Sequence, residues 1–309
     1  MNSKKDRAIV VSALKHAAPY IRLFKGKVFV IKAGGEIFAD VEKSRALIEQ
    51  VGILHQVGIR VVLIHGGGPQ STKLASALGL DTTFVDGRRV TDGESLDVAT
   101  MVLNGQINTR ILATCRDLQI PAVGISGVDA GLIRAHKRPP VERDGKSTVD
   151  YGFVGDIDSV DADILRKQLD NGLMPVVSPL SCDESGVILN INADTVAAAI
   201  AAELNAEKLI LATGAAGILE DVNDPTSLIS YIDRAALQKL RDSGSLADGM
   251  IPKAAAIDDA ISNGVRRVHI ISSRLPDSIL LEVFTNEGTG TLVVDDVGGL
   301  TPAEQSTGS

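Results

Sequence analysis

Three charged residues stand where a solvated surface does not readily explain them. Lys32 closes the apolar run Val28-Phe29-Val30-Ile31 and is followed at once by Gly34-Gly35. A strand-end lysine is commonly a solvated edge group. This one falls at the C-terminal end of a buried strand, where open α/β sheets place their ligands. Lys253 follows Gly249 and Pro252 at the start of a helical stretch, and a cation there opposes the helix dipole unless an anion is close. Asp194 lies in Asn190-Ile191-Asn192-Ala193-Asp194-Thr195. Asn and Asp are preferred helix N-caps, which accounts for the segment without chemistry. The chemical reading has Asp194 holding cations in place beside an anion.

Bare backbone accompanies these charges. The run Val62-Leu63-Ile64-His65 ends in Gly66-Gly67-Gly68-Pro69-Gln70. Glycines let charged ligand oxygens approach main-chain N–H groups closely, and such loops cradle phosphate. Two strand-to-glycine junctions, one carrying a lysine, point to an anionic ligand gripped from two sides. Arg88-Arg89-Val90-Thr91-Asp92 reads either as a solvated turn or as a guanidinium clamp for a carboxylate. Gly145-Lys146-Ser147 imitates the end of a Walker A loop, but Pro140 occupies the position of the required glycine. The triple-glycine loop also lacks the final glycine of a dinucleotide fingerprint.

The elements that must position these residues alternate in type. Strands are expected at Val28–Lys32, Arg60–His65, Pro121–Ile125, Met174–Pro179, Lys208–Ala212 and Arg267–Ile271. Helices are expected at Ser44–Val57, Gln70–Leu78, Gly93–Leu118, Thr195–Leu204, Ile232–Ser243 and Ile251–Asn263. Such alternation argues a mostly parallel sheet with helices on both faces. Residues 134–156 are polar, with Pro139-Pro140 and Arg143-Asp144-Gly145-Lys146, and read as a surface β-hairpin. Val11, Leu14, Ala18 and Ile21 recur at helical spacing around Pro19, which should kink or split that helix. We expect a kinked helix over 1–26, a first lobe over 27–180, a second over 181–300 and a fraying tail over 301–309.

Composition narrows the function. The chain has 309 residues, no Trp, 3% aromatics and a formal charge of -8. Stacking platforms and a polyanionic partner are therefore disfavoured, so nucleic acid is not expected. Only Cys115 and Cys182 occur, far apart, so neither a disulfide framework nor a metal site is indicated. No apolar run is long enough for a bilayer, and no convincing signal peptide opens the chain. A cytoplasmic protein without a membrane partner is expected.

Together these segments resemble the N-acetylglutamate kinases of the amino acid kinase family. The resemblance rests on Ile31-Lys32-x-Gly34-Gly35, His65-Gly66-Gly67-Gly68-Pro69-Gln70 and Val85-Asp86-Gly87-x-Arg89-Val90-Thr91-Asp92. Further matches are Met101-Val102-Leu103-x-Gly105, Gly152-Phe153-Val154-Gly155, Asn190–Asp194 and Gly249–Lys253. It implies a three-layer αβα sandwich in which ATP phosphorylates the side-chain carboxylate of N-acetyl-L-glutamate, a step of arginine biosynthesis. Lys32 and Lys253 would neutralise the transferring phosphoryl group, and Asp194 would orient both. Gly34, Gly35 and Gly66 would offer amides to the phosphates, with Thr213 and Gly217 on the nucleotide side. Gly67, Gly68, Arg89 and Asn190 would hold the acyl amino acid. Mg2+ would be carried on the ATP phosphates. The N-terminal segment resembles that of arginine-sensitive members, implying a hexamer, or failing that a dimer. Arginine would then be held by Tyr20, Lys208, His269, Glu287 and Gly288.

This chain departs from the family pattern at Gly214 after Thr213, at Val128 after Ser126-Gly127, and at Glu36 after the glycine pair. Two other readings share the resemblance. One is a kinase of the one-carbon-longer N-acetyl-aminoadipate in lysine biosynthesis. The other is a non-catalytic arginine sensor partnering an N-acetylglutamate synthase.

Overall fold

The computed structural model describes residues 4–85, 88–143, 147–221, 223–224, 226–247, 249–285 and 288–299. Its centre is an eight-stranded sheet built from β1 (Val28–Ala33), β2 (Arg60–His65), β3 (Ala122–Ser126), β4 (Met174–Ser178), β5 (Lys208–Thr213), β6 (Tyr231–Asp233), β7 (Val268–Ser272) and β8 (Gly290–Val294). The strand order is β6-β8-β7-β5-β1-β2-β4-β3. Six strands run parallel; β8 pairs antiparallel with β7, and β6 is parallel to β8. β1 lies directly against β5, with Phe29 opposite Lys208 and Lys32 opposite Leu211. The sheet therefore continues across the expected boundary at 180/181.

Both faces of the sheet are covered, as near-continuous apolar strands require. Along β1, Phe29, Ile31 and Ala33 join one core cluster and Val30 joins the other. Alternation then sends Lys32 to the face of Val30. On that face pack α6 (Ala193–Glu203) and α7 (Ile251–Ser262), through Val196, Ala197, Ile200, Ala254 and Ile257. The opposite face carries α1 (Lys4–Phe24), α2 (Val41–Gln56), α3 (Gly68–Ala77), α4 (Gly93–Thr100), α5 (Thr109–Asp117) and α8 (Ser278–Phe284). Between α4 and α5 the chain stays helical but widens into a π-helix over Met101–Asn108.

A second sheet orders Ile188–Asn190, Leu180–Cys182, Ile133–Lys137 and Gly155–Val160. The last two strands pair antiparallel, and Val141–Arg143 pairs with Ser147–Val149 beyond them. The expected hairpin is present, with a longer base; its turn at 144–146 lies outside the described residues. Ile232 does not start a helix as expected: it lies inside β6, and the helix begins at Arg234. Pro19 sits within α1, which is one helical run rather than two. A first-turn proline is costless, but Pro19 is deep in the helix and removes the N–H that would bond Lys15. The tail 301–309 lies outside the described residues. No helix among the described residues is long and apolar enough to cross a membrane.

Candidate active site

The three charged residues meet. Asp194 Oδ1 lies 2.8 Å from Lys32 Nζ, and Asp194 Oδ2 lies 2.9 Å from Lys253 Nζ. Local sequence explains each placement. The Asn192 side chain caps α6, accepting from the amides of Asp194 at 2.8 Å and Thr195 at 3.3 Å. Asp194 is thereby fixed in the first turn, where the helix dipole favours an anion. Lys32 reaches it from the strand beneath, and Lys253 from the first turn of the neighbouring helix. The unfavourable position of Lys253 is thus answered by a protein carboxylate. Asp194 is 3% exposed. Burial alone would push its carboxyl upward, but the two ammonium groups outweigh burial and hold it below the ordinary carboxylate range.

These groups face a cavity of about 540 Å³. Its walls include Lys32, Asp194 and Lys253, both glycine junctions, and Arg89 with Asn190. The two glycine loops touch. A Cβ on Gly35 would come within 2.9 Å of the Gly67 Cα, and one on Gly67 within 2.7 Å of Leu103 Cδ2 and 2.8 Å of Ile107 Cδ1. Gln70 Nε2 donates to the Gly35 carbonyl at 2.6 Å and cinches the loops together. Their amides are not equivalent. Gly66 N–H donates to Ala33 O at 2.9 Å, and Gly34 N–H to Ala212 O at 3.4 Å. Those two amides have partners within the fold. Gly35 opens a short helix to Phe38 and Gly68 opens α3. First-turn amides of a helix lack intrahelical acceptors, so Gly35, Gly67 and Gly68 are the positions suited to a ligand.

Arg89 is half-buried, with Nη2 donating to Thr72 Oγ1 at 2.6 Å and to Gly68 O at 3.1 Å. Its guanidinium carbon lies 4.9 Å from the Phe84 ring centroid. Burial pulls the Arg89 pKa down from its ordinary value. Asn190 Nδ2 donates to Thr91 Oγ1 at 3.3 Å. Asp86, Gly87 and Asp248, which flank these motifs, lie outside the described residues. Thr213 and Gly217 do not line this cavity. Thr213 Oγ1 both donates to the Ala215 carbonyl and accepts from its amide, at 3.1 Å each, closing the turn after β5.

The cavity also holds Arg138, which the sequence did not single out, and Glu36, noted there only as a departure from the family pattern. Arg138 lines it, forked onto Asp156 through Nε at 3.0 and 3.1 Å and lying 5.8 Å from the Tyr151 ring centroid. The only prior signal was a cation ending a strand-like run before Pro139. Glu36 lines it too, its carboxylate folded over the bare Cα of Gly34.

A second polar cluster lies under α1. Lys208 Nζ is 3.1 Å from His269 Nε2, and His269 Nδ1 is 2.6 Å from Glu282 Oε1. Glu282 Oε2 accepts from Thr289 N–H at 2.6 Å, and Lys208 Nζ sits 5.3 Å from the Phe24 ring centroid. Burial lowers the His269 pKa, reinforced by Lys208. Burial acts to raise Glu282, but bonds from His269 and Thr289 prevail and take it to about 2. The expected acid here is Glu287, which lies outside the described residues; among the described residues the carboxylate beside Lys208 and His269 is Glu282. Tyr20 packs against the core on the α1 side. Gly288 has the Glu282 carboxylate 3.9 Å from where its Cβ would be.

A parallel-sheet sandwich with paired lysines and glycine loops at the strand ends defines a phosphoryl-transfer class. The chain belongs to the amino acid kinase family, whose model matches residues 27–272. Its relatives include an acetylglutamate kinase of Myxococcus xanthus, 47% identical over 92% of this chain and 94% of that protein. Another, of Symbiobacterium thermophilum, is 44% identical over 94% and 98%. Among solved structures, an N-acetylglutamate synthase from Neisseria gonorrhoeae complexed with coenzyme A and N-acetyl-glutamate superposes with a TM-score of 0.80 at 30% identity. The match covers 93% of this chain and 64% of the synthase. The same synthase has been solved with coenzyme A and L-arginine, at a TM-score of 0.80 and 29% identity.

Proposed function

We propose that this enzyme transfers the γ-phosphoryl group of ATP to the side-chain carboxylate of N-acetyl-L-glutamate, yielding the acyl phosphate and ADP for arginine biosynthesis. The observation that carries this is Asp194 bridging Lys32 and Lys253 at 2.8 and 2.9 Å in a glycine-walled cavity. Phosphoryl transfer needs alignment and charge stabilisation more than covalent help. The attacking carboxylate has an ordinary pKa of about 4.3 and is already ionised at neutral pH, so no general base is required. Lys32 and Lys253 draw off charge from the transferring group, one from each side of Asp194. Gly35, Gly67 and Gly68 donate amides, and Arg89 with Asn190 fixes the α-carboxylate. Thr213 and Gly217 are assigned to the nucleotide side. Among the described residues no cluster of three or more His, Cys, Asp or Glu could ligate a metal ion. We assign magnesium to the ATP phosphates.

The cluster of Lys208, His269 and Glu282 under α1 is read as an arginine effector site. Support comes from its buried carboxylate and from the synthase solved with L-arginine. Ile9, Val10, Val11 and Leu14 expose an apolar stripe on α1, suited to a second copy of this chain and to a hexamer or dimer. A cytoplasmic location is consistent with Cys115 and Cys182 remaining free thiols.

The test is a hydroxylamine trap for acyl phosphate with ATP and either N-acetyl-L-glutamate or N-acetyl-aminoadipate. Hydroxamate from the shorter substrate at higher kcat/KM is expected. One methylene is worth roughly 1–3 kcal/mol, so preference for the longer acid would move the enzyme to lysine biosynthesis. No product from either would leave a sensor.

A further inference from the structure

His65 ends β2 with no solvent exposure, and nothing in the reaction above employs it. Its surroundings fix its hydrogens. Asn108 Nδ2 donates to the Val176 carbonyl at 3.0 Å and faces His65 Nε2 at 3.2 Å. Flipping that amide would set its oxygen against the Val176 carbonyl, so Nδ2 is the donor to both. His65 Nε2 must then accept, and the proton resides on Nδ1. Nδ1 lies 3.3 Å from the Gly66 carbonyl oxygen and donates to it. Burial supports the neutral ring by lowering the His65 pKa to about 4.

The support is built from three elements. Asn108 is the last residue of the π-helix Met101–Asn108. Its Oδ1 occupies the space above Gly124 in β3, where a Cβ would approach to 2.1 Å. Leu103 and Ile107 of the same π-helix press on Gly67. π-helical turns concentrate at functional sites because they re-aim side chains out of the α-helical register. Here the widened turn delivers one amide and two apolar side chains to the underside of one loop.

The consequence reaches the cavity through one peptide plane. Gly66 C=O and Gly67 N–H belong to the same trans peptide and point in opposite directions. Gly66 O directed inward to His65 leaves Gly67 N–H directed outward, on the side where Gly67 lines the cavity. We infer that His65, locked by Asn108 as the Nδ1–H tautomer, is the positioning residue that aims the Gly67 amide at the ligand. The inference rests on the kinase reading of this cavity, but its tautomer can be measured without catalysis.

The experiment has two arms on the full chain. In the ligand-free protein, nitrogen-15 NMR of the imidazole should report Nδ1–H, with no titration between pH 7 and 5. An Nε2–H tautomer, or titration near the ordinary value of about 6.5, overturns the proposal. In the hydroxamate assay, His65→Asn keeps an amide donor near the Nδ1 position, His65→Gln shifts it toward Nε2, and His65→Phe removes it. Asn should stay within about tenfold of the parent kcat, while Gln and Phe lose about a hundredfold with KM little changed, the size of a lost main-chain donor. Gln or Phe matching Asn overturns the proposal, as does a loss confined to KM. If a variant does not fold, the NMR arm decides alone. If the parent makes no acyl phosphate, the kinase reading falls while the tautomer is still read.

Discussion

Asp194→Asn tests the centre of the site. The amide matches the carboxylate in shape, so the cap from Asn192 and the packing of α6 survive. What goes is one negative charge, 3% exposed, shared by two ammonium groups at 2.8 and 2.9 Å. Removing one member of a buried ion pair costs about 3–5 kcal/mol. The polar amide retains some hydrogen bonding, so we take about 3 kcal/mol. With about 2.1 cal/mol/K of unfolding entropy per residue, a chain of 309 residues shifts by about 1.5 °C per kcal/mol, so Tm should fall by roughly 5 °C. Chemistry should suffer more. The two lysines lose the group that aims them, and one misdirected charge-stabilising donor costs about 10²–10³ in kcat. Hydroxamate formation at saturating ATP and acyl amino acid gives kcat, and scanning calorimetry gives Tm. A variant keeping kcat within about threefold of the parent, which is under 1 kcal/mol of transition-state stabilisation, would refute the idea that Asp194 organises the lysines.

Four other outcomes follow from the same geometry. Gly67→Ala should destabilise by about 1–3 kcal/mol because its Cβ meets Leu103 and Ile107 at 2.7 and 2.8 Å; Gly68→Ala, with nothing within 4 Å, should leave Tm unchanged, and equal melting temperatures would contradict the contact. Arg89→Lys should raise KM for the acyl amino acid by about 10–100-fold through loss of the planar fork, with KM for ATP steady; initial-rate kinetics on each substrate check it. Stability should decline as pH drops from about 6.5 toward 4, because folded His65 resists protonation down to about 4 while the unfolded side chain accepts a proton near 6.5; the lost stability is about 3 kcal/mol. His269, also lowered by burial, acts with the same sign, so the His65 share is read as the slope missing from His65→Asn in Tm measured against pH. Glu282→Gln should abolish inhibition by millimolar arginine while the uninhibited kcat is kept; inhibition that persists would dissociate this cluster from the effector.

Much of the site was legible because its signals are local. An apolar run that stops at glycine, a lysine at a strand end and an asparagine immediately before a helix each announce an element boundary. The site is assembled from boundaries: Lys32 at the end of β1, Gly67 at the end of the β2 loop, Asn192 and Asp194 at the start of α6. What was not legible depends on through-space partners. Lys253 looked misplaced at a helix N-terminus because its answering charge lies 59 residues earlier in the chain. No pattern reveals that the Gly66 amide bonds the Ala33 carbonyl on the neighbouring strand. The short β6 and β8 at the sheet edge have few alternating residues to display a period, and Ile232 was drawn into the helix that follows it. Glu287 and Glu282 are both acids near Gly288. The helical rise of α8, which sets Glu282 beside β7 and against His269, is not written in the local pattern.

The charge arrangement explains how two lysines can be held together in this cavity. Lys32 lies at 7% side-chain exposure in the middle layer, and an unpaired ammonium there would be costly. Asp194 offsets that cost, and the dipole of α6 offsets the cost of burying Asp194. The same carboxylate makes a lysine tolerable at the start of α7. Two positive charges and one negative leave the cluster one unit positive, beside the amide-bearing starts of α3 and α6. Charges held in mutual contact by the fold are the kind of arrangement that can lower a barrier by charge stabilisation, instead of merely binding substrate.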